Sequence, residues 1–73
     1  MAITKAQMEN WFTYHSPKGD QTERYGELRS RARLFAQCIV DNTPDGPDQE
    51  AAVRKVREAV MTANQAIACE VDE

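Results

Sequence analysis

Between Trp11 and Tyr25 the chain reads Trp-Phe-Thr-Tyr-His-Ser-Pro-Lys-Gly-Asp-Gln-Thr-Glu-Arg-Tyr, which gathers most of its aromatics, its only histidine and several cations. That mixture suits a nucleotide ligand: aromatic faces stack on bases and cations neutralise phosphates. Pro17, Gly19 and Asp20 supply turn chemistry that exposes such side chains. The competing reading is a loop whose aromatics plug a small core. Tyr14 is the first choice for stacking, because it follows Thr13 in an extended stretch and its hydroxyl can stay wet or meet a phosphate. Phe12 is expected to pack under the loop, and Trp11 is read as core before stacking. His15 either binds a phosphate or base edge or serves as a satisfied structural residue. Pro17 stiffens the loop and so lowers the entropy lost on binding, while Lys18 offers a flexible point charge.

Lys18, Arg24, Arg29, Arg31 and Arg33 stand against Asp20, Glu23 and Glu27, so this part of an acidic protein is locally positive. The planar fork of arginine pairs with two phosphate oxygens and can stack on a base. At 100° per residue Arg29 and Arg33 flank the core stripe near Tyr25, whereas Arg24 and Arg31 point to the other side. The plain alternative is a solvated helix with Glu27 and Arg31 paired at i, i+4; Arg24 and Arg33 are read that way.

These groups need elements to hold them, and the pattern predicts an all-α chain. Ile3, Met8 and Trp11, with Thr4 as cap, support a short N-terminal helix. After the aromatic and basic loop, Asp20-Gln-Thr-Glu23 has the capping-box form, with Asp20 as N-cap, and starts a helix to about Asp41. Tyr25, Leu28, Ala32, Phe35, Ala36 and Ile39 form its core stripe. Asn42-Thr-Pro-Asp-Gly-Pro breaks it, and Asp45 is expected to cap the next helix ahead of Pro47. There Val53, Val56, Val60, Ala63 and Ile67 alternate spacings of three and four, the seam of a close antiparallel pair. Leu34 and Cys38 on one helix, and Ala52, Ala59, Ala66, Met61 and Ala68 on the other, form second apolar strips that a lone hairpin leaves wet. They read as subunit contacts. The Glu70–Glu73 tail reads as a frayed, solubilising end.

Seventy-three residues make a single domain, 1–73, too small to bury a comfortable monomeric core, so a compact homo-oligomer is expected. A net charge of −3 argues against wrapping a long nucleic acid, whereas a small cyclic phosphodiester needs only a local basic pocket. The first residues lack an apolar core of signal-peptide length and no run approaches a membrane span, so a cytoplasmic location is expected. Cys38 and Cys69 fall at opposite ends of the hairpin, on the order of 25 Å apart, too far for a disulfide. There is no zinc signature, and no cofactor is implied.

Phe12-Thr-Tyr-His-x-Pro-Lys18, Gln21-x-x-Arg-Tyr-x-x-Leu-Arg29, Asn42-Thr-Pro44 and Glu58-Ala-Val-Met-x-Ala-Asn-x-Ala-Ile-Ala68 resemble, in order and spacing, the phage anti-CBASS cyclic-oligonucleotide sponges, the second such family described. The resemblance spans Phe12 to Ala68. It implies a small helical protein, acting in the infected bacterium, that sequesters cyclic nucleotide messengers such as cyclic GMP-AMP without cleaving them. It implies a homohexamer in which cyclic dinucleotides are clamped between subunits by the aromatic loop and helix-borne cations, with cyclic trinucleotides at separate three-fold positions. Ligand-binding roles then fall on Phe12, Tyr14, His15, Pro17, Lys18, Tyr25 and Arg29, the last at the family's Leu/Ile-Arg position, with Arg31 a substitute cation. Cys69 stands where the family's last motif often continues with arginine, which puts the trinucleotide pocket in doubt. An enzyme is disfavoured: the chain has one histidine, no paired metal-ligand motif and no glycine-rich phosphate loop. The remaining rival is a small helical adaptor or nucleic-acid-binding regulator.

Overall fold

Thr4 sits in extended backbone and its hydroxyl accepts from the Gln7 amide at 3.1 Å, while Gln7 Oε1 accepts from the Thr4 amide at 2.9 Å. This reciprocal cap opens α1, Lys5–Trp11, in the computed structural model, which describes residues 2–71. The cap at Thr4 is the expected one. Seven residues cannot sustain a helix in water, and α1 buries none of its own residues. It is held instead by Asn10, whose Nδ2 donates to the Cys69 carbonyl at 3.0 Å.

Helix α2 spans Gln21–Asn42 and α3 spans Pro47–Ala68, close to the expected bounds. Two caps differ from expectation. Asp20 precedes α2, but at φ −89°, ψ 9° its carboxylate makes no cap bond; Oδ1 instead accepts from Arg24 Nε at 3.1 Å. An N-cap side chain reaches the first amides from extended backbone, which Asp20 lacks. Asp45 does not cap α3. Gly46 takes that place at φ 155°, a conformation that favours glycine, and Pro47 follows at the helix start, where its missing N–H costs nothing. Gln49 closes the connection, donating to the Val40 carbonyl and to both oxygens of Thr43.

The two long helices form an antiparallel hairpin, with Gln21 at the start of α2 bonded to Ile67 near the end of α3. The seam follows the expected positions: Ile67 is buried, and Val53, Val56, Val60 and Ala63 are half-buried. Opposite them Tyr25, Leu28, Ala32, Ala36 and Ile39 are half-buried as well. Phe35 departs from the predicted core. It is 59% exposed, because two helices cover only one side of each other and Phe35 stands at the open rim. The exposed second strips are where the sequence puts them, with Leu34 and Met61 largely in solvent and Cys38, Ala59 and Ala66 exposed. Both cysteines are free thiols.

One chain is therefore a slab with little interior. Its surface of 6255 Å² exceeds the roughly 4,600 Å² usual for a globular protein of this mass. Its radius of gyration, 15.6 Å, compares with about 11 Å for a compact domain of this length. No helix among the described residues is long and apolar enough to cross a membrane.

Candidate functional site

The aromatic loop is anchored to the carboxyl end of α3 at both of its own ends. At the first, His15 Nε2 lies 2.7 Å from the Asn10 carbonyl, an acceptor, so Nε2 carries the proton and donates. Asn10 in turn binds Cys69. At the other end the Lys18 amide donates to Gln21 Oε1 at 3.0 Å, and Gln21 Nε2 donates to the Ile67 carbonyl and to Glu70 Oε1, each at 3.1 Å. Gly19 supplies the left-handed turn, φ 57°, that leads into α2. His15 is half-buried and its Nε2 is committed to this contact.

Between these anchors the rings face outward. Tyr14 is 83% exposed, as a stacking residue requires. Phe12, expected beneath the loop, is 80% exposed; it caps the carboxyl end of α1, where no other element covers it. Trp11, also read as core, is the last residue of α1 and is 45% exposed, because that helix buries none of its residues. Pro17 and Lys18 are exposed and Tyr25 is half-buried. Three aromatic rings within four residues stand in solvent on an 8.3 kDa chain, an exposure that a ligand or a second chain would relieve.

The arginines divide as the helical wheel requires. Arg29 and Arg33 share a cleft on one face of α2 with Gly26, Ser30, Leu34 and Gln37. Arg31 lies on the opposite side, its Nε 2.8 Å from Glu27, at the margin of a groove of about 690 Å³ between α2 and α3. That groove is almost wholly apolar, lined by Leu28, Ala32, Phe35, Val56, Ala59 and Val60 among others. No hydrogen bond or ion pair between described residues joins Tyr14 to Arg29 or Arg31. Arg29 stands about 12 Å along α2 from the loop's anchor at Gln21. On α3, Asn64 buries Oδ1 with no partner among the described residues. An unpaired buried carbonyl costs about 1–3 kcal/mol, so this atom favours a donor from outside the chain.

Two residues of this region escaped the sequence reading. Arg24, read as solvated, bonds Glu70 through both terminal nitrogens as well as Asp20. Glu70, assigned to a frayed tail, is held by Arg24 and Gln21; Asp72 and Glu73 lie outside the described residues. The hydrogen bonds from Arg24, and then from Gln21, hold the Glu70 carboxyl below its ordinary value, and Glu70 raises Arg24 in return. A carboxylate whose folded-state value is depressed contributes stability above its unfolded range and loses it as pH falls through the folded value. Both partners are solvent-accessible, so the effect on global stability is small. The Gln21 side-chain amide resonances should shift at a pH below the usual glutamate range. A midpoint at the ordinary value would show that the contact does not form in solution.

A family model described as Acb2/Tad1, hairpin domain, matches residues 4–68. Neither the curated proteins nor the solved structures contain a match.

Proposed function

This chain belongs to the Acb2/Tad1 hairpin family, and from that membership we propose that it binds a cyclic dinucleotide such as cyclic GMP-AMP and holds it uncleaved, away from a CBASS effector. The family consists of sponges that sequester cyclic oligonucleotide signals, the Acb2 branch against CBASS and the Tad1 branch against Thoeris. The Phe12-Thr-Tyr-His-x-Pro-Lys18 loop carries the likeness to the anti-CBASS branch.

The observation that carries the reading is a pair of solvent-facing rings, Tyr14 and Phe12, on a loop fastened at both ends. Tyr14 stacks on one base, and Phe12, displaced from its expected core position, is a second platform. Lys18 meets a phosphate, and Pro17 limits the loop's freedom. Arg29 supplies the bidentate phosphate contact, from a neighbouring copy, since its own loop is a good part of a helix length away. Tyr25 backs the loop from within the hairpin. The apolar groove, the exposed Leu34 and Met61 strips and the Asn64 carbonyl all need cover, which supports self-association; six subunits is the number the family resemblance implies. Cys69 packs against the Asn10 carbonyl, so a trinucleotide pocket would draw its cation from Arg31. The working location is the cytoplasm of the infected host.

Stoichiometry tests this. Added to cyclic GMP-AMP, the protein should silence a messenger-activated effector at about one pocket per ligand. Heating should return the messenger intact. Sub-stoichiometric silencing, or recovery of a hydrolysed product, would replace the sponge with an enzyme, and retardation of duplex DNA would favour the regulator.

A further inference from the structure

Gln21 is 2% exposed, the most deeply buried polar side chain among the described residues, and its amide is fully committed. Oε1 accepts from Lys18 at the end of the aromatic loop, while Nε2 donates to Ile67 in the last turn of α3 and to Glu70 just beyond it. Two segments distant in sequence, residues 18–21 and 67–70, meet on one side chain. Only a primary amide offers an acceptor and two donors in this way: glutamate has no donor when ionised, and leucine has neither. The Ile67 carbonyl, at the end of α3, already accepts from the Glu70 amide at 3.2 Å, and Gln21 adds a second donor to the same oxygen. Glu70 is fixed in turn by Arg24, which also holds Asp20, the residue before α2. The ring of contacts therefore runs from the loop through Gln21 and Glu70 to Arg24 and back to the start of the helix.

The geometry points to Gln21 as the positioning residue of the ligand loop: by clamping Lys18 to the end of α3 it sets Tyr14 and Lys18 in their binding arrangement before a cyclic nucleotide arrives. This rests on the reading of the loop as the ligand site. His15 and Asn10 fasten the loop's other end, and the Gln21 backbone amide keeps its bond to the Lys18 carbonyl at 3.1 Å, so removing the Gln21 side chain loosens the loop from α3 without undoing the turn, while the hairpin seam stays packed. A binder whose competent arrangement is only partly populated loses apparent affinity in proportion to that fraction. The loss falls on association, because the clamp acts before the ligand is held.

The test is Gln21→Leu in the full chain, read by amide exchange and by binding of 3′,3′-cyclic GMP-AMP. The Lys18 amide should exchange faster, while amides in the middle of α2 and α3 keep the parent's protection. Affinity should fall about tenfold or more, mainly through a slower association rate. Should Gln21→Leu fail to fold, Glu70→Ala removes one arm of the clamp at an accessible position and should show a smaller loss with the same kinetic signature. Parent-like affinity in a variant whose Lys18 amide has been released would overturn the role, as would loss of protection spread evenly over both helices. If the parent itself does not bind the probe, the sponge reading falls and this role with it; if the parent binds and the variants match it, only the clamp falls.

Discussion

Placing a charge in the groove between α2 and α3, as in Ala59→Arg, should convert a defined oligomer into a monomer at micromolar concentration, measured by light scattering. Ala59 is exposed on the single chain and its methyl lines an apolar trough beside Leu28, Phe35 and Val60. A guanidinium there meets no acceptor once a second copy covers the groove, and an unpaired charge taken from water costs several kcal/mol in each interface. The single chain already exposes roughly 1,600 Å² more surface than its mass leads one to expect, about what a standard protein interface covers in all. Because so little of the core is complete within one copy, the variant should also melt at a lower temperature than the parent. A parent that remains a stable monomer under these conditions, or a variant that assembles normally, would refute the assignment of the groove to self-association. Ala59→Ser, a small polar change of similar size, should leave assembly nearly intact and separate the effect of charge from that of substitution.

The helices were legible because their signals are local. Thr4, the proline and glycine break after Asn42 and the three-four spacing of valines on α3 each act within a few residues, and each appears where the pattern puts it. Errors gathered where an outcome depends on something several residues or a whole chain away. Asp20 and Asp45 are good cap residues by type, yet Asp20 lacks the extended backbone that a cap needs, and Asp45 stands one position too early, because α3 opens at Pro47 with Gly46 in the cap position. Phe12, Trp11 and Phe35 were assigned to a core by their hydrophobicity, which says that a ring will be covered but not by which chain. Gln21 and Glu70 were passed over because a buried glutamine is recognised only by its partners, and these lie 46 and 49 positions apart from it. The Gln21-x-x-Arg24 spacing was visible as a pattern without a reason; the reason is a contact at the far end of α3.

Loss of the Tyr14 ring should weaken ligand binding strongly while leaving the fold untouched. Tyr14 is largely in solvent, and its removal exposes no core, so Tyr14→Ala should keep the parent's helicity and melting behaviour. Removing one base-stacking ring costs about 1–3 kcal/mol, a loss of roughly 5- to 150-fold in affinity for a cyclic dinucleotide measured by calorimetry. Tyr14→Phe keeps the face and should bind nearly as well, which separates stacking from any hydrogen bond of the hydroxyl. Arg29→Ala should lose as much or more, because truncating one partner of a desolvated charge pair typically costs about 2–5 kcal/mol. On the proposed reading both residues meet one small ligand, Tyr14 from one copy and Arg29 from its neighbour. A sponge that outcompetes an effector needs nanomolar affinity or better, about −12 kcal/mol, and so small a ligand reaches it only in a closed pocket where stacking and phosphate pairing reinforce each other. The double variant should therefore fall short of the sum of the single losses, since each single change already opens the pocket to water. Strict additivity would mean two independent contacts on an open surface. Parent-like binding by both single variants would show that the pocket lies elsewhere on the hairpin.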